Sequence, residues 1–190
     1  MQRQVLARID WRQVTAVLDV ACGTGWATME AARSMEGTGA GVACGCDIST
    51  GMLARRSREQ NGDAQAYFSA ASAQALPFRG DSFDIVICTA AFHHFPAPLA
   101  ALQEVKRVLR SGGTLLIADS CRDQSVGTSV WDRLHRWFEP GHVKYYSRDE
   151  LVGLLNEAGF SDLEVTKLVP PFWQTKKLSR HVAVFRGTAS

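Results

Sequence analysis

No run in this 190-residue chain approaches the ~20 consecutive apolar residues of a membrane-spanning helix. The start, Met1-Gln2-Arg3-Gln4-Val5-Leu6, has no apolar core of the signal-peptide kind. The expected setting is therefore soluble and cytoplasmic. An excess of one charge is also missing, since 21 Lys and Arg face 19 Asp and Glu. The short basic clusters, Arg55-Arg56-Ser57-Arg58 and Lys176-Lys177, read as solvated faces and are too sparse for a nucleic-acid footprint. Cysteine is an odd five, and four of the five stand in apolar runs, which excludes a disulfide framework and suits reduced, buried thiols. Cys44-Gly45-Cys46 has no second pair or histidine motif to complete a tetrahedral zinc site, so no metal is expected. Repeats and linkers are absent too, and residues 1–190 read as one domain.

What is present is a 46% hydrophobic chain, enough for a core without covalent staples. Strand and helix patterns alternate along it, which predicts a mostly parallel sheet flanked by helices. Helix is expected at 2–12, 26–35, 98–110 and 148–158. Strand is expected at Ala16–Val20, Gly41–Cys46, Ala66–Phe68, Phe83–Cys88, Thr114–Ala118, 162–168 and His181–Arg186. Ser49 can cap the helix after the second strand. Ser111-Gly112-Gly113 supplies the glycine expected where helix 98–110 ends. Residues 120–146 form an irregular insert with a helix expected around 128–138, and 169–173 read as a loop or hairpin connection.

The chemistry begins at Leu18-Asp19-Val20-Ala21-Cys22-Gly23-Thr24-Gly25-Trp26. A buried strand feeding a Gly-x-Gly turn lets backbone approach a ligand closely. A dinucleotide fingerprint wants a third glycine where this chain has Thr28. A phosphate loop wants Gly-Lys-Ser/Thr, and no lysine follows. The turn thus suits a nucleoside without phosphates. Asp47 ends the second strand 22 residues after Gly25, where a carboxylate can accept from both ribose hydroxyls.

These stretches, together with Cys46-Asp47-Ile48-Ser49, Ala75-Leu76-Pro77-Phe78, Ser82-Phe83-Asp84-Ile85-Val86, Phe92-His93-His94-Phe95 and Glu104–Gly113, resemble the successive blocks of class I S-adenosylmethionine-dependent methyltransferases. Within that class the chain resembles the group containing the ubiquinone and menaquinone biosynthesis C-methyltransferases, over about residues 15–165. The resemblance implies an α/β Rossmann-like fold, a mostly parallel seven-stranded sheet with helices on both faces and an antiparallel last strand. It implies S-adenosylmethionine as cofactor and a small-molecule methyl acceptor. Ala21, Gly23 and Gly25 would form the cofactor turn and Asp19 would help place the ammonium group. Asp47 would hold the ribose, Ile48 and Met52 would lie against the adenine, Ser72 and Ala73 at its edge, and Thr89 below the sulfonium. The chain departs from the family at Ser72, where an aspartate is usual.

On the acceptor side, His94 reads either as a packing or loop-fixing residue or as a base, and His142 as an acceptor contact or base, because a histidine near neutrality suits proton removal from an acceptor. His142 belongs to the insert, whose Trp131, Trp137 and Phe138, at helical spacing, read either as an apolar lid or as core. Two other functions stay open: a cofactor-binding subunit without catalysis, and a nicotinamide oxidoreductase. Against the second stand the missing third glycine and the lack of a Tyr-x-x-x-Lys pair.

Overall fold

The structure is a computed structural model, and it describes residues 1–36, 41–55, 66–121, 143–168 and 182–189. Seven strands form one sheet: β1 (Ala16–Val20), β2 (Val42–Asp47), β3 (Ala66–Ala70), β4 (Phe83–Thr89), β5 (Leu109–Ser120), β6 (Phe160–Leu168) and β7 (Val182–Ala189). Their order is β3-β2-β1-β4-β5-β7-β6. The first five run parallel, and β7 lies antiparallel between β5 and β6. This is the Rossmann-like arrangement that the resemblance implies, with an antiparallel last strand.

The central strands β1 and β4 and the second half of β5 are apolar on both faces because both faces are covered, whereas the edge strands β3 and β6 are largely uncovered. Leu18, Val86, Leu115 and Phe185 point to one side, where α4 (Pro98–Val108) and α5 (Arg148–Glu157) bring Leu102, Val105, Leu151 and Leu155. Their neighbours Val17, Ile85, Leu116 and Val184 point to the other. There α1 (Gln2–Leu6) contributes Val5 and Leu6, and α2 (Trp26–Met35) contributes Ala27, Ala31 and Met35. Ser49 caps the short α3 (Thr50–Ala54), accepting from the Met52 N–H at 3.2 Å. Ser147 and Glu150 close a capping box on α5.

Two helices are shorter than their periodicity predicts. The expected helix 2–12 stops at Leu6, and Asp10 caps a separate 3₁₀ turn at Trp11–Gln13 by accepting from the Arg12 N–H. Helix 98–110 ends at Val108, because Leu109 is already extended and pairs with Phe83. Ser111-Gly112-Gly113 therefore belongs to β5 and caps nothing. Registers jump there from Phe83↔Leu109 to Ile85↔Thr114, and Gly112 takes φ +77° within this bulge. The helix expected around 128–138 and the connection at 169–173 lie outside the described residues.

The chain crosses from β3, at one edge, over β2 and β1 to β4, so the sheet's order reverses between β1 and β4. Open α/β sheets bind ligands in the crevice at such a reversal, beyond the strands' carboxyl ends.

Candidate functional site

A cavity of about 790 Å³ opens at that crevice. Its wall is built from the ends of β1, β2, β3 and β4: Ala21–Thr24, Asp47–Ser49, Ala71–Gln74 and Thr89–Ala91, with His94, Phe95 and Pro96 beyond. Ala21 (φ 56°) and Ala90 (φ 54°) follow β1 and β4 in the left-handed region. A side chain there costs roughly 1–2 kcal/mol, and such strain gathers at ligand clamps.

The glycine turn is locked from both sides. Cys22 N–H donates to the Cys46 carbonyl (3.0 Å), and Gly23 N–H donates to Asp47 Oδ2 (2.7 Å). Asp47 Oδ1 accepts from Ser49 N–H (2.8 Å). Asp47 is buried, so the carboxylate is part of the turn's scaffold. An ionised carboxylate offers about four lone pairs, which leaves two for vicinal hydroxyls. Gly25 stands at φ +78°, and a Cβ on it would come within 2.3 Å of the Phe68 ring.

Asp19 and Thr28 explain each other. Thr28 of α2 donates through Oγ1 to Asp19 Oδ2 (2.8 Å), and both residues are buried. A third glycine at position 28 would remove that donor. Asp19 Oδ1 has no partner among the described residues. Burial pushes its carboxyl up to about 7, with Thr28 pulling down and Asp47 pushing further up. Buried next to the turn, an acceptor left without a donor suits a cationic group nearby.

Of the residues singled out in the sequence, Ala21, Gly23, Asp47, Ile48, Met52, Ser72, Ala73, Thr89 and His94 line this one cavity. Asp19 and Gly25 do not: the first lies buried against α2, the second shapes the backbone. Ile48 is 77% exposed, on the rim of the cavity. His142 lies outside the described residues. The sequence reading missed Gln2, Trp26 and Gln74. Gln2 reaches across from α1, its Nε2 donating to Thr89 Oγ1 (3.3 Å), a contact between positions 87 apart that no local motif signals. Gln74 shares the turn of Ser72, whose Oγ accepts from the Gln74 N–H (3.2 Å). Cys22 also faces the cavity, but burial raises its thiol far above neutrality and Cys46 up to about 12, so neither serves as a nucleophile.

A phosphate-free glycine turn, a strand-end carboxylate bound to it and an order reversal above both define a nucleoside-binding domain of the methyltransferase class. The chain belongs to the methyltransferase domain family, whose model matches residues 18–117. It is 34% identical over 178 residues to an O-methyltransferase of Aspergillus sclerotiorum, covering 88% of this chain and 63% of that protein. It is 29% identical over 184 residues to a ubiquinone biosynthesis O-methyltransferase of Ruegeria, covering 92% and 72%. The crystal structure of the YcgJ protein from Bacillus subtilis superposes with a TM-score of 0.75 at 25% identity, covering 88% of this chain and 70% of that one. The chain thus spans less than two thirds of the fungal relative's length. The family's cofactor is S-adenosylmethionine, and the residues present fit it: Asp47 has lone pairs for a ribose, and the unpartnered oxygen of buried Asp19 lies behind the turn.

Proposed function

We propose that this protein transfers the methyl group of S-adenosylmethionine to a small-molecule acceptor in the cytoplasm. The observation that carries the reading is the single cavity in which the turn locked to Asp47 and the imidazole of His94 share one wall. When bound, the cofactor supplies a methyl group already activated by its sulfonium. Gly23 and Asp47 would hold the nucleoside and methionine portions, Met52, Ser72 and Ala73 the base, and Thr89 the floor beneath the reacting centre. Asp19 would balance the ammonium charge from behind the turn. What remains for the protein is alignment of acceptor and methyl in line, an effect worth up to ~7–11 kcal/mol in ideal cases. His94 would take the acceptor's proton where one must leave. His142 is proposed as an acceptor contact or second base from the insert. The relatives' names support an oxygen acceptor, since two of them are O-methyltransferases.

Incubation with methyl-tritiated S-adenosylmethionine and a panel of phenols and quinols tests the proposal. Transfer that S-adenosylhomocysteine inhibits is expected. Tight cofactor binding with no transfer to any acceptor, including those in a metabolite extract, would favour the non-catalytic subunit.

A further inference from the structure

The histidine beside His94 turns away from the cavity and into the protein. His93 and Asp119, 26 positions apart, are both buried. Asp119 Oδ2 accepts from the His93 backbone N–H (3.0 Å), and the carboxylate straddles His93 Nδ1 at 2.8 and 2.9 Å. Oδ1 also accepts from Ser120 N–H (2.7 Å). A carboxylate that collects main-chain donors is acceptor-only, so His93 carries its hydrogen on Nδ1. The same residue grips a third segment. Its carbonyl accepts from both Val143 N–H (3.2 Å) and Lys144 N–H (3.1 Å), and its ring lies 4.9 Å from that of Tyr145. The His94 ring lies 4.0 Å from the His93 ring, tilted by 42°.

We propose that His93 and Asp119 are a positioning pair for the acceptor side of the site: they fix the 3₁₀ turn at Phe92–His94 so that His94 faces the cavity, and they tie to it the segment 143–146. The inference rests on the methyltransferase reading, since it gives His94 something to face. Neither residue touches the cavity, so their effect passes through His94 and the backbone. One carboxylate holding both the main chain and the ring of a single residue over-determines that turn, which is what a site on a short loop needs.

The test uses the whole protein with labelled histidine rings and S-adenosylhomocysteine as probe. Wild type should show a His93 Nδ1–H proton protected from exchange, and a His94 ring resonance that moves when the probe binds. In His93→Phe the His94 response should be lost while probe affinity by calorimetry stays within a few-fold. In His93→Asn, whose amide N–H can replace Nδ1–H toward Asp119, the response should return. The inference is overturned if both variants respond like wild type, or if melting temperature and probe affinity fall together in both, because the pair then only supports the fold. A wild type that does not bind the probe contradicts the methyltransferase reading itself, which separates the two failures.

Discussion

Asp47 shows how much one residue can carry and how much of it a sequence can disclose. Its distance from the glycine turn marks it as a candidate ribose ligand and its bond to Ser49 is local, whereas its bond to Gly23 arises only once β1 and β2 pair. Asp47→Ala should weaken cofactor binding by about 1–3 kcal/mol, the cost of lost charged hydrogen bonds. A small fall in melting temperature should accompany it, because the turn loses its clamp. Calorimetric titration with S-adenosylhomocysteine checks the first and a thermal melt the second. Asp19 was legible as an acidic position in a buried strand, but its donor was not, since Thr28 on α2 supplies it. Its folded carboxyl titrates near 7 against an ordinary 3.8, so the native state holds a proton that the unfolded chain has released. Stability from this group is full below pH 4, declines as pH rises toward 7, and is level above. Asp19→Asn should therefore gain melting temperature over wild type on going from pH 5 to pH 8. With an ammonium favouring the ionised form, wild-type cofactor affinity should strengthen through pH 7 and the variant's should stay flat.

At the scale of elements, several family blocks turn out to be joints. The Ala75–Phe78 block and Glu104 of α4 are separate blocks in the sequence, and the fold brings them together. Glu104 Oε2 accepts from Leu76 N–H (2.8 Å), while the Arg107 guanidinium donates to the carbonyls of Phe78 (2.9 Å) and Leu76 (3.0 Å) and to Glu104. Asp84 does the same below β4: it accepts from Thr15 and Ala16 at the start of β1 and pairs with Arg110. Burial alone would raise its carboxyl, but those donors bring it below the ordinary value. Glu104→Ala should cost about 1–3 kcal/mol by leaving the Leu76 N–H without its acceptor and the Arg107 guanidinium with only its two carbonyls. In a domain of this size that is a drop of several degrees, with cofactor affinity little changed; an unchanged melt would show the joint to be dispensable. Strand positions were most readable at the centre of the sheet, where β1 and β4 are apolar on both faces. The ends of α1 and α4 were not, because a cap at Asp10 and a strand pairing at Leu109 overrode helical periodicity.

For the whole molecule, alternating elements and one glycine turn forecast a mostly parallel sheet with a ligand turn at its edge, and the family resemblance supplied Ile48, Met52, Ser72, Ala73 and Thr89 of the cavity wall. The pattern could not reveal which distant segments close the crevice, such as Gln2 of α1, or that His93 belongs to Asp119 rather than to the site. Those pairings follow from tertiary packing alone. The central claim is that the crevice is shaped for a nucleoside without phosphates whose methionine portion lies on the glycine turn. Isothermal titration of the purified protein with S-adenosylhomocysteine and, separately, with NADH tests it most directly, because binding needs no knowledge of the acceptor. The account predicts saturable one-to-one binding of S-adenosylhomocysteine, a raised melting temperature (about 2.7 kcal/mol of stabilisation at a hundredfold excess over Kd) and no heat with NADH. Binding of NADH without binding of S-adenosylhomocysteine would contradict it.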